Sequence, residues 1–207
     1  MSFTLILIIV TAAITISAWN RPELQYKLMM NPYSVVHKSQ FYRLLSSGFV
    51  HGSWMHLGFN MFTFFFFGRL IEQLYSYMLG PNGPYYFLAL YILGIIISDI
   101  PSIIKHRDHP NYNSLGASGG VSAVVFSSIM FLPLEKIYIM GIIGIPGFIL
   151  GILYIIYSYY EGKRMADNVN HHAHLIGAIF GVVFSIYVQP TVLMSFFEQV
   201  MSYMSSF

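Results

Sequence analysis

Charged residues divide the chain into long apolar stretches. Six stretches without Asp, Glu, Lys or Arg cover residues 2–20, 44–68, 73–98, 109–134, 137–160 and 168–197. A helix that crosses the hydrocarbon core of a bilayer, which is ~30 Å thick, needs about 20 predominantly apolar residues. Such a helix pairs all of its backbone polar groups internally, as lipid requires. The pattern therefore predicts an all-α membrane protein with six transmembrane helices.

Prolines, glycines and polar residues within these stretches set the expected bounds of the helices. We expect helices at 2–19, 55–73, 84–98, 118–132, 137–159 and 172–189, within one domain that covers residues 1–207. Pro133 should stop the fourth helix, and Pro146 should kink the fifth. The first stretch is interpreted as a retained helix, because it lacks a basic leader and a small-x-small cleavage pattern.

Two further segments are expected at the membrane interface. The first loop, about 20–54, contains five charged residues, four basic and one acidic, among aromatic and aliphatic residues. This mixture is typical of a segment that lies in the membrane interface. The apolar tail, 190–207, contains a single charge, Glu198, and is expected to form an interfacial helix.

Composition limits the classes of function. The chain has 207 residues, of which 56% are hydrophobic and 9% charged, whereas charged residues make up about 25% of an ordinary soluble domain. A net charge of +2 gives no reason to expect a nucleic-acid partner. The absence of cysteine excludes disulfides and thiolate metal sites.

Ser118 is the first candidate for chemistry. It lies in Gly116-Ala-Ser-Gly119, between a polar loop and an apolar stretch, and is therefore expected at the N-terminus of a helix. Unpaired N–H groups and the positive end of the helix dipole favour negative charge there. A serine nucleophile and a tetrahedral oxyanion are both negative, so the position suits nucleophilic catalysis.

His174 is expected at the same depth as Ser118. Each of the two precedes the far end of its helix by 15 residues, which places each about 22 Å from the far surface at ~1.5 Å per residue. Gly177 and Gly181 share a helix face with His174 and allow close helix packing. Helix four also begins with small residues, so the two helices can pack closely. Ser118 and His174 therefore form a plausible nucleophile–base pair.

The second helix contributes polar side chains on the same side of the membrane. His56 and Asn60 are four residues apart and share one helix face. Polar side chains within a span usually face a cavity or another helix. The Asn60 amide is able to donate a hydrogen bond to an oxyanion, although hydrogen bonding between helices explains both residues equally well.

These motifs together resemble the rhomboid family of intramembrane serine proteases over nearly the whole chain. The similarity rests on Gly116-Ala-Ser-Gly119, on His51-x4-His56-x3-Asn60, and on Ala173-His174-x2-Gly177-x3-Gly181, with Gln40-Phe-Tyr-Arg43 in the first loop. The resemblance implies a six-helix rhomboid-like bundle with an interfacial first loop.

The resemblance also implies roles for individual residues. It implies a Ser118–His174 catalytic dyad without an aspartate and without a cofactor or metal. It implies an oxyanion site made by His56, Asn60 and the backbone N–H groups of Ser118 and Gly119. It further implies that substrate transmembrane segments approach near helix five and are hydrolysed in a water-filled cavity. Residues expected to line the cavity or support it are His51, Gly116, Ser122, Gly177 and Gly181.

One position departs from the commoner family pattern. Many members carry Tyr or Phe four residues after the serine, where the ring stacks on the histidine, but this chain has Ser122. The sequence leaves open what holds the His174 ring.

Three other functions are possible in principle. Five histidines, His51, His56, His171, His172 and His174, are potential metal ligands, but the chain contains no His-Glu-x-x-His motif. A transporter is disfavoured because the chain shows no paired halves. A non-catalytic rhomboid-like scaffold that binds membrane clients is the main alternative, although such relatives typically lack the serine or the histidine.

The expected location is a multi-pass position in a bacterial cytoplasmic membrane. Loops one, three and five carry eight Lys or Arg against two on the opposite side, so the positive-inside rule places the serine side in the cytoplasm. The resemblance implies the reverse, with both termini cytoplasmic. We prefer the second arrangement, because four of the eight cations belong to the interfacial first loop.

Overall fold

The chain is helical over most of its length. The computed structural model describes residues 2–139, 142–164 and 170–206. In these ranges the helices are α1 Phe3–Trp19, α2 Pro22–Leu28, α3 Pro32–Lys38, α4 Arg43–Ser46, α5 Trp54–Leu79, α6 Gly83–Ser98, α7 Ile100–His106, α8 Ser118–Phe131, α9 Gly147–Arg164, α10 His171–Val188 and α11 Val192–Met204. Two antiparallel strands, β1 Lys136–Ile139 and β2 Ile143–Pro146, form a hairpin before α9.

Helix α8 lies at the centre of the bundle. It packs against α5, α6 and α10, and most of its side chains are buried. The core beside it is aromatic, with Phe64 stacked on Tyr91 at a centroid distance of 4.2 Å. Buried hydroxyl groups connect three helices, because Ser127 of α8 contacts Tyr75 of α5 at 3.0 Å and Ser185 of α10 at 2.8 Å. Helix α8, which Ser118 begins, is therefore held by several neighbouring helices.

The N-terminus of α1 is capped by a carboxylate from α5. Glu72 accepts hydrogen bonds from the Phe3 N–H at 2.6 Å, and from the Thr4 N–H and hydroxyl at 3.0 and 2.7 Å. A carboxylate at this position satisfies backbone donors that α1 cannot satisfy itself. The spacing of Arg69 and Glu72 suggests an ion pair, but the Arg69 guanidinium instead lies over the Phe65 ring.

Helix α5 continues past the expected end at residue 73. It reaches Leu79 and ends at Gly80, whose φ of 59° is the left-handed conformation that favours glycine. The charged pair at positions 69 and 72 thus lies within the helix and does not mark its end.

The expected helix at 137–159 is wrong in its first part. Residues 136–139 and 143–146 form the two paired strands, with Lys136 opposite Pro146 and Ile139 opposite Ile143. β-Branched isoleucines alternate through both strands, which favours extended structure. Pro146 ends β2 and does not kink a helix, and α9 begins directly after it at Gly147.

The length of the apolar helices gives partial support to membrane insertion. Among the described residues, two stretches are long and apolar enough to cross a bilayer: the nearly continuous helical stretch Trp54–His106 and the helix His171–Val188. Helices α1 and α8 are apolar but shorter, with 17 and 14 residues. The arrangement of six spans and the interfacial position of the first loop and of α11 stay predictions.

The first loop holds the segment that leads to Ser118. The Arg43 side chain is buried and donates to the Tyr26 and Met29 carbonyls, both at 2.7 Å. Met30 and Ser114 exchange two backbone hydrogen bonds of 2.9 and 3.1 Å. Through these contacts the first loop fixes the path of the chain immediately before α8.

Candidate active site

Ser118 is the first residue of α8, and the turn before it requires glycine. Gly116 has a φ of 121°, and its N–H donates to the Ser47 carbonyl at 2.9 Å. A Cβ on Gly116 would lie 2.6 Å from Cε1 of His56. Glycine is therefore needed both for the backbone conformation and for the close approach of the His56 ring.

His51 is hydrogen-bonded to the same turn. Its Nε2 accepts a hydrogen bond from the Ala117 N–H at 3.3 Å, so Nε2 carries no proton. The proton is therefore on Nδ1, which donates to the Thr15 hydroxyl at 3.2 Å, and Thr15 donates onward to the Phe49 carbonyl at 3.0 Å. Burial, and to a smaller extent the neighbouring His56, lower the pKa of His51 from 6.5 to about 3. His51 is consequently a neutral residue that fits a structural role.

His56 and Asn60 lie one turn apart on α5, and the His56 ring lies against Gly116 of the turn before Ser118. The His56 ring contacts the His51 ring edge-on, with 4.9 Å between centroids. Asn60 is buried, and its Nδ2 donates to the His56 carbonyl at 3.0 Å. An amide nitrogen has two hydrogens, so one donor of Asn60 fixes its orientation and the second is left for another acceptor.

Two small-residue contacts bring α10 against α8. A Cβ on Gly177 would overlap the Gly119 carbonyl, and a Cβ on Gly181 would overlap the Ala123 carbonyl. The two backbones therefore touch along this line, as small residues permit in membrane helices. His174 lies one turn before Gly177, and Ser118 lies one residue before Gly119. Ser118 and His174 are therefore both at the end of the interface between α8 and α10 where these two helices begin.

The His174 ring stacks on a tyrosine from α9. The Tyr154 and His174 rings are 6.2 Å apart between centroids and inclined by 21°. The Tyr154 hydroxyl lies 2.9 Å from the Ser122 hydroxyl. His171 contacts His174 edge-on at 5.8 Å, whereas His172 is exposed.

A small polar cavity borders Ser118. Its volume is about 20 Å³, which is room for about one water molecule. Asp99 is buried beside it and accepts a hydrogen bond from Ser47 at 3.4 Å. The polar residues that line the cavity are Ser47, Ser98, Asp99, Ser114, Ser118 and Asn170.

Sequence reasoning did not identify Tyr154 or Asp99. Tyr154 belongs to a tyrosine-rich stretch in which no spacing distinguishes it from Tyr157 or Tyr160. Asp99 carries a usable signal, because it is an isolated acid at the end of a charge-free stretch. In the part of the chain that the structure describes, no three His or acidic side chains converge as ligands of a metal ion.

The sequence matches a family model and several known proteins. Residues 38–191 match the family model described as the Rhomboid domain. The chain is 27% identical over 176 residues to RHOMBOID-like protein 12, mitochondrial, from Arabidopsis thaliana, which covers 76% of this chain and 50% of that protein. It is 31% identical over 188 residues to presenilin-associated rhomboid-like protein A, mitochondrial, from Danio rerio, covering 84% and 45%.

A third relative is similar to the same extent. The presenilin-associated rhomboid-like protein, mitochondrial, of Mus musculus is 28% identical over 190 residues, which is 87% of this chain and 47% of that protein. The chain thus spans about half the length of the curated relatives it matches. Their names place these relatives in mitochondria, so the expectation of a bacterial cytoplasmic membrane gains no support from them.

The buried His51 predicts a dependence of stability on pH. The unfolded chain protonates this histidine near pH 6.5, whereas the folded protein does not until about pH 3. The free energy of unfolding should therefore fall as pH drops below 6.5, by up to about 1.4 kcal/mol per pH unit from this residue. His51→Gln should flatten that slope in denaturant unfolding in detergent, and His172→Gln, at an exposed site, should not. Equal slopes for wild type and His51→Gln would show that His51 protonates normally.

Proposed function

The chain belongs to the rhomboid family, and from this premise we propose that it is a serine endopeptidase that cleaves transmembrane segments of other membrane proteins. The observation that carries the proposal is the contact of α8 with α10, which brings the ends that bear Ser118 and His174 to one level. In this proposal Ser118 is the nucleophile and His174 is the general base.

The position of Ser118 supports nucleophilic catalysis. The first N–H groups of a helix have no intrahelical partner, and the helix dipole is positive at that end. The backbone N–H groups of Ser118 and Gly119 belong to the first turn of α8. They are suitable donors for the oxyanion of a tetrahedral intermediate.

His56 and Asn60 complete the proposed oxyanion site. The His56 ring lies against Gly116, two residues before the nucleophile. The hydrogen bond from Asn60 to the His56 carbonyl holds the amide in a fixed orientation. Preorganised donors of this kind stabilise developing negative charge without reorganising during the reaction.

The proposed reaction proceeds in two balanced steps. Ser118 Oγ attacks the scissile carbonyl carbon while its proton passes to His174, and that proton then goes to the leaving amine as the peptide C–N bond breaks. Water next attacks the acyl-serine, gives a proton to His174, and releases the carboxylic acid as the proton returns to Ser118. The cavity beside Ser118 is large enough to keep one water molecule near this site.

The proposed substrate reaches the site beside α9 from within the bilayer. The exposed side chains of α9 that the structure describes are aliphatic or aromatic, including Ile152, Leu153 and Ile156. The helix packs mainly on α10, with a lighter contact to α8. An apolar substrate helix can therefore approach along α9, and moving α9 would disturb fewer contacts than moving α5, α6, α8 or α10.

A non-catalytic scaffold that binds membrane clients is the second candidate. The names of two relatives describe them as presenilin-associated, which speaks of association and not of hydrolysis. The binding of membrane clients does not require a serine at the start of α8 or a histidine near the start of α10. This chain has both, and catalysis is therefore the favoured function.

The dyad is tested by substitution of its two members. Ser118→Ala and His174→Ala should abolish cleavage of a transmembrane substrate in proteoliposomes, because each removes a group that forms or breaks bonds. Ser128→Ala, on the same helix, and His172→Ala, on the same helix as His174, are the matched controls and should cleave at the wild-type rate. Thermal unfolding should be similar for all four variants. Cleavage by folded Ser118→Ala at the wild-type rate would refute the assignment.

Lateral access is tested by restraining α9. The chain has no cysteine of its own, so single cysteines placed in α5 and α9 allow a specific thiol crosslink. The crosslink should block a transmembrane substrate more strongly than a short water-soluble peptide, and reduction should restore cleavage. A crosslink between α5 and α6, which are already packed together, serves as the control. Equal inhibition of both substrates by the α5–α9 crosslink would exclude access beside α9.

A further inference from the structure

Tyr154 joins three helices beside the proposed dyad. Its ring stacks on His174 of α10, with a centroid distance of 6.2 Å and an inclination of 21°. It also contacts Phe126 of α8, at 5.7 Å and 49°. Its hydroxyl lies 2.9 Å from the hydroxyl of Ser122, which is one turn beyond Ser118 on α8. A side chain held by two rings and one hydrogen bond has little freedom to rotate.

We propose that Tyr154 is the positioning residue for the His174 base, and that α9 thereby supplies the ring that orients the imidazole. This inference rests on the proposed function. Tyr154 does not touch the reacting atoms, and it acts by fixing the plane of the ring that does.

The packing explains why the orienting ring comes from α9. Ser122 is buried and carries no ring, and it meets the Tyr154 hydroxyl, so the ring that lies against His174 comes from α9. Stacked aromatic rings favour centroid distances of about 4.5–7 Å, and the Tyr154–His174 pair lies within that range. The hydroxyl of Ser122 then anchors the far end of the tyrosine.

A misaligned base is costly for catalysis. A general base must lie within hydrogen-bond reach of the proton that it accepts, and a displacement of about 1 Å in an active site can cost about a hundredfold in rate. Rotation of the His174 ring would move its nitrogen atoms by a distance of this order. The loss should appear in kcat, because the substrate does not bind through Tyr154.

The inference links catalysis to the position of α9. Tyr154 is carried by the helix beside which the substrate is proposed to approach. An outward movement of α9 that admitted a substrate would carry the ring away from His174, and the return of α9 would restore the stack. The base is then fully oriented only after the helix has closed on the substrate.

The test separates the ring from the hydroxyl. Tyr154→Leu should lower kcat for a short water-soluble peptide by about 10- to 100-fold, with KM changed by less than about twofold. Tyr154→Phe retains the ring and should keep kcat within about threefold of wild type. Tyr160→Leu, at an exposed tyrosine of the same helix, is the matched control and should be unchanged. If Tyr154→Leu does not fold, Tyr154→Met replaces it, because methionine fills irregular space.

The outcomes distinguish this inference from the proposed function. If wild-type protein cleaves the peptide and folded Tyr154→Leu cleaves it with the same kcat as Tyr160→Leu, the positioning role is wrong and the protease assignment stands. A rise in KM at constant kcat would also overturn the positioning role, since it would make Tyr154 a substrate contact. If Ser118→Ala cleaves as fast as wild type, it is the protease assignment that fails.

Discussion

The close contact of α8 with α10 is the constraint on which the site depends. It requires residues without side chains at two levels, Gly177 against the Gly119 carbonyl and Gly181 against the Ala123 carbonyl. Any larger side chain at either glycine would force the helices apart. The separation of the two helices determines whether a serine on one is able to pass a proton to a histidine on the other, so the fold and the proposed chemistry have the same physical requirement.

The remaining contacts of the site hold the ends of these two helices in place. On the α8 side, the Ala117 N–H is paired with a histidine that stays neutral, and the Gly116 N–H is paired with the Ser47 carbonyl. These two bonds tie the turn before Ser118 to the first loop, and the contact of His51 with Thr15 extends the connection to α1. On the α10 side, the His174 ring lies against Tyr154. The turn before Ser118 is thus held by backbone hydrogen bonds, and the His174 ring is stacked on a side chain from a third helix.

Sequence reasoning predicts the elements that depend on local pattern. Ser118 begins a helix, as the change from glycine-rich loop to apolar stretch predicts, and the family assignment from three motifs is confirmed by the match over residues 38–191. The fifth helix is predicted to begin too early, because a stretch without charges does not distinguish the isoleucine-rich hairpin from a helix. The role of Tyr154 depends on how α9 is rotated against α8 and α10. That rotation is a property of tertiary packing, and four similar tyrosines between positions 154 and 160 give no indication of it.

We propose that Ser118 is a nucleophile activated by His174. A fluorophosphonate forms a covalent bond only with an activated serine, so intact-mass and peptide mass spectrometry after treatment in detergent tests the claim directly. We expect one adduct, on the peptide that contains Ser118, and its loss in folded His174→Ala but not in His172→Ala. Absence of an adduct on wild-type Ser118, or labelling of His174→Ala at the wild-type rate, would contradict it.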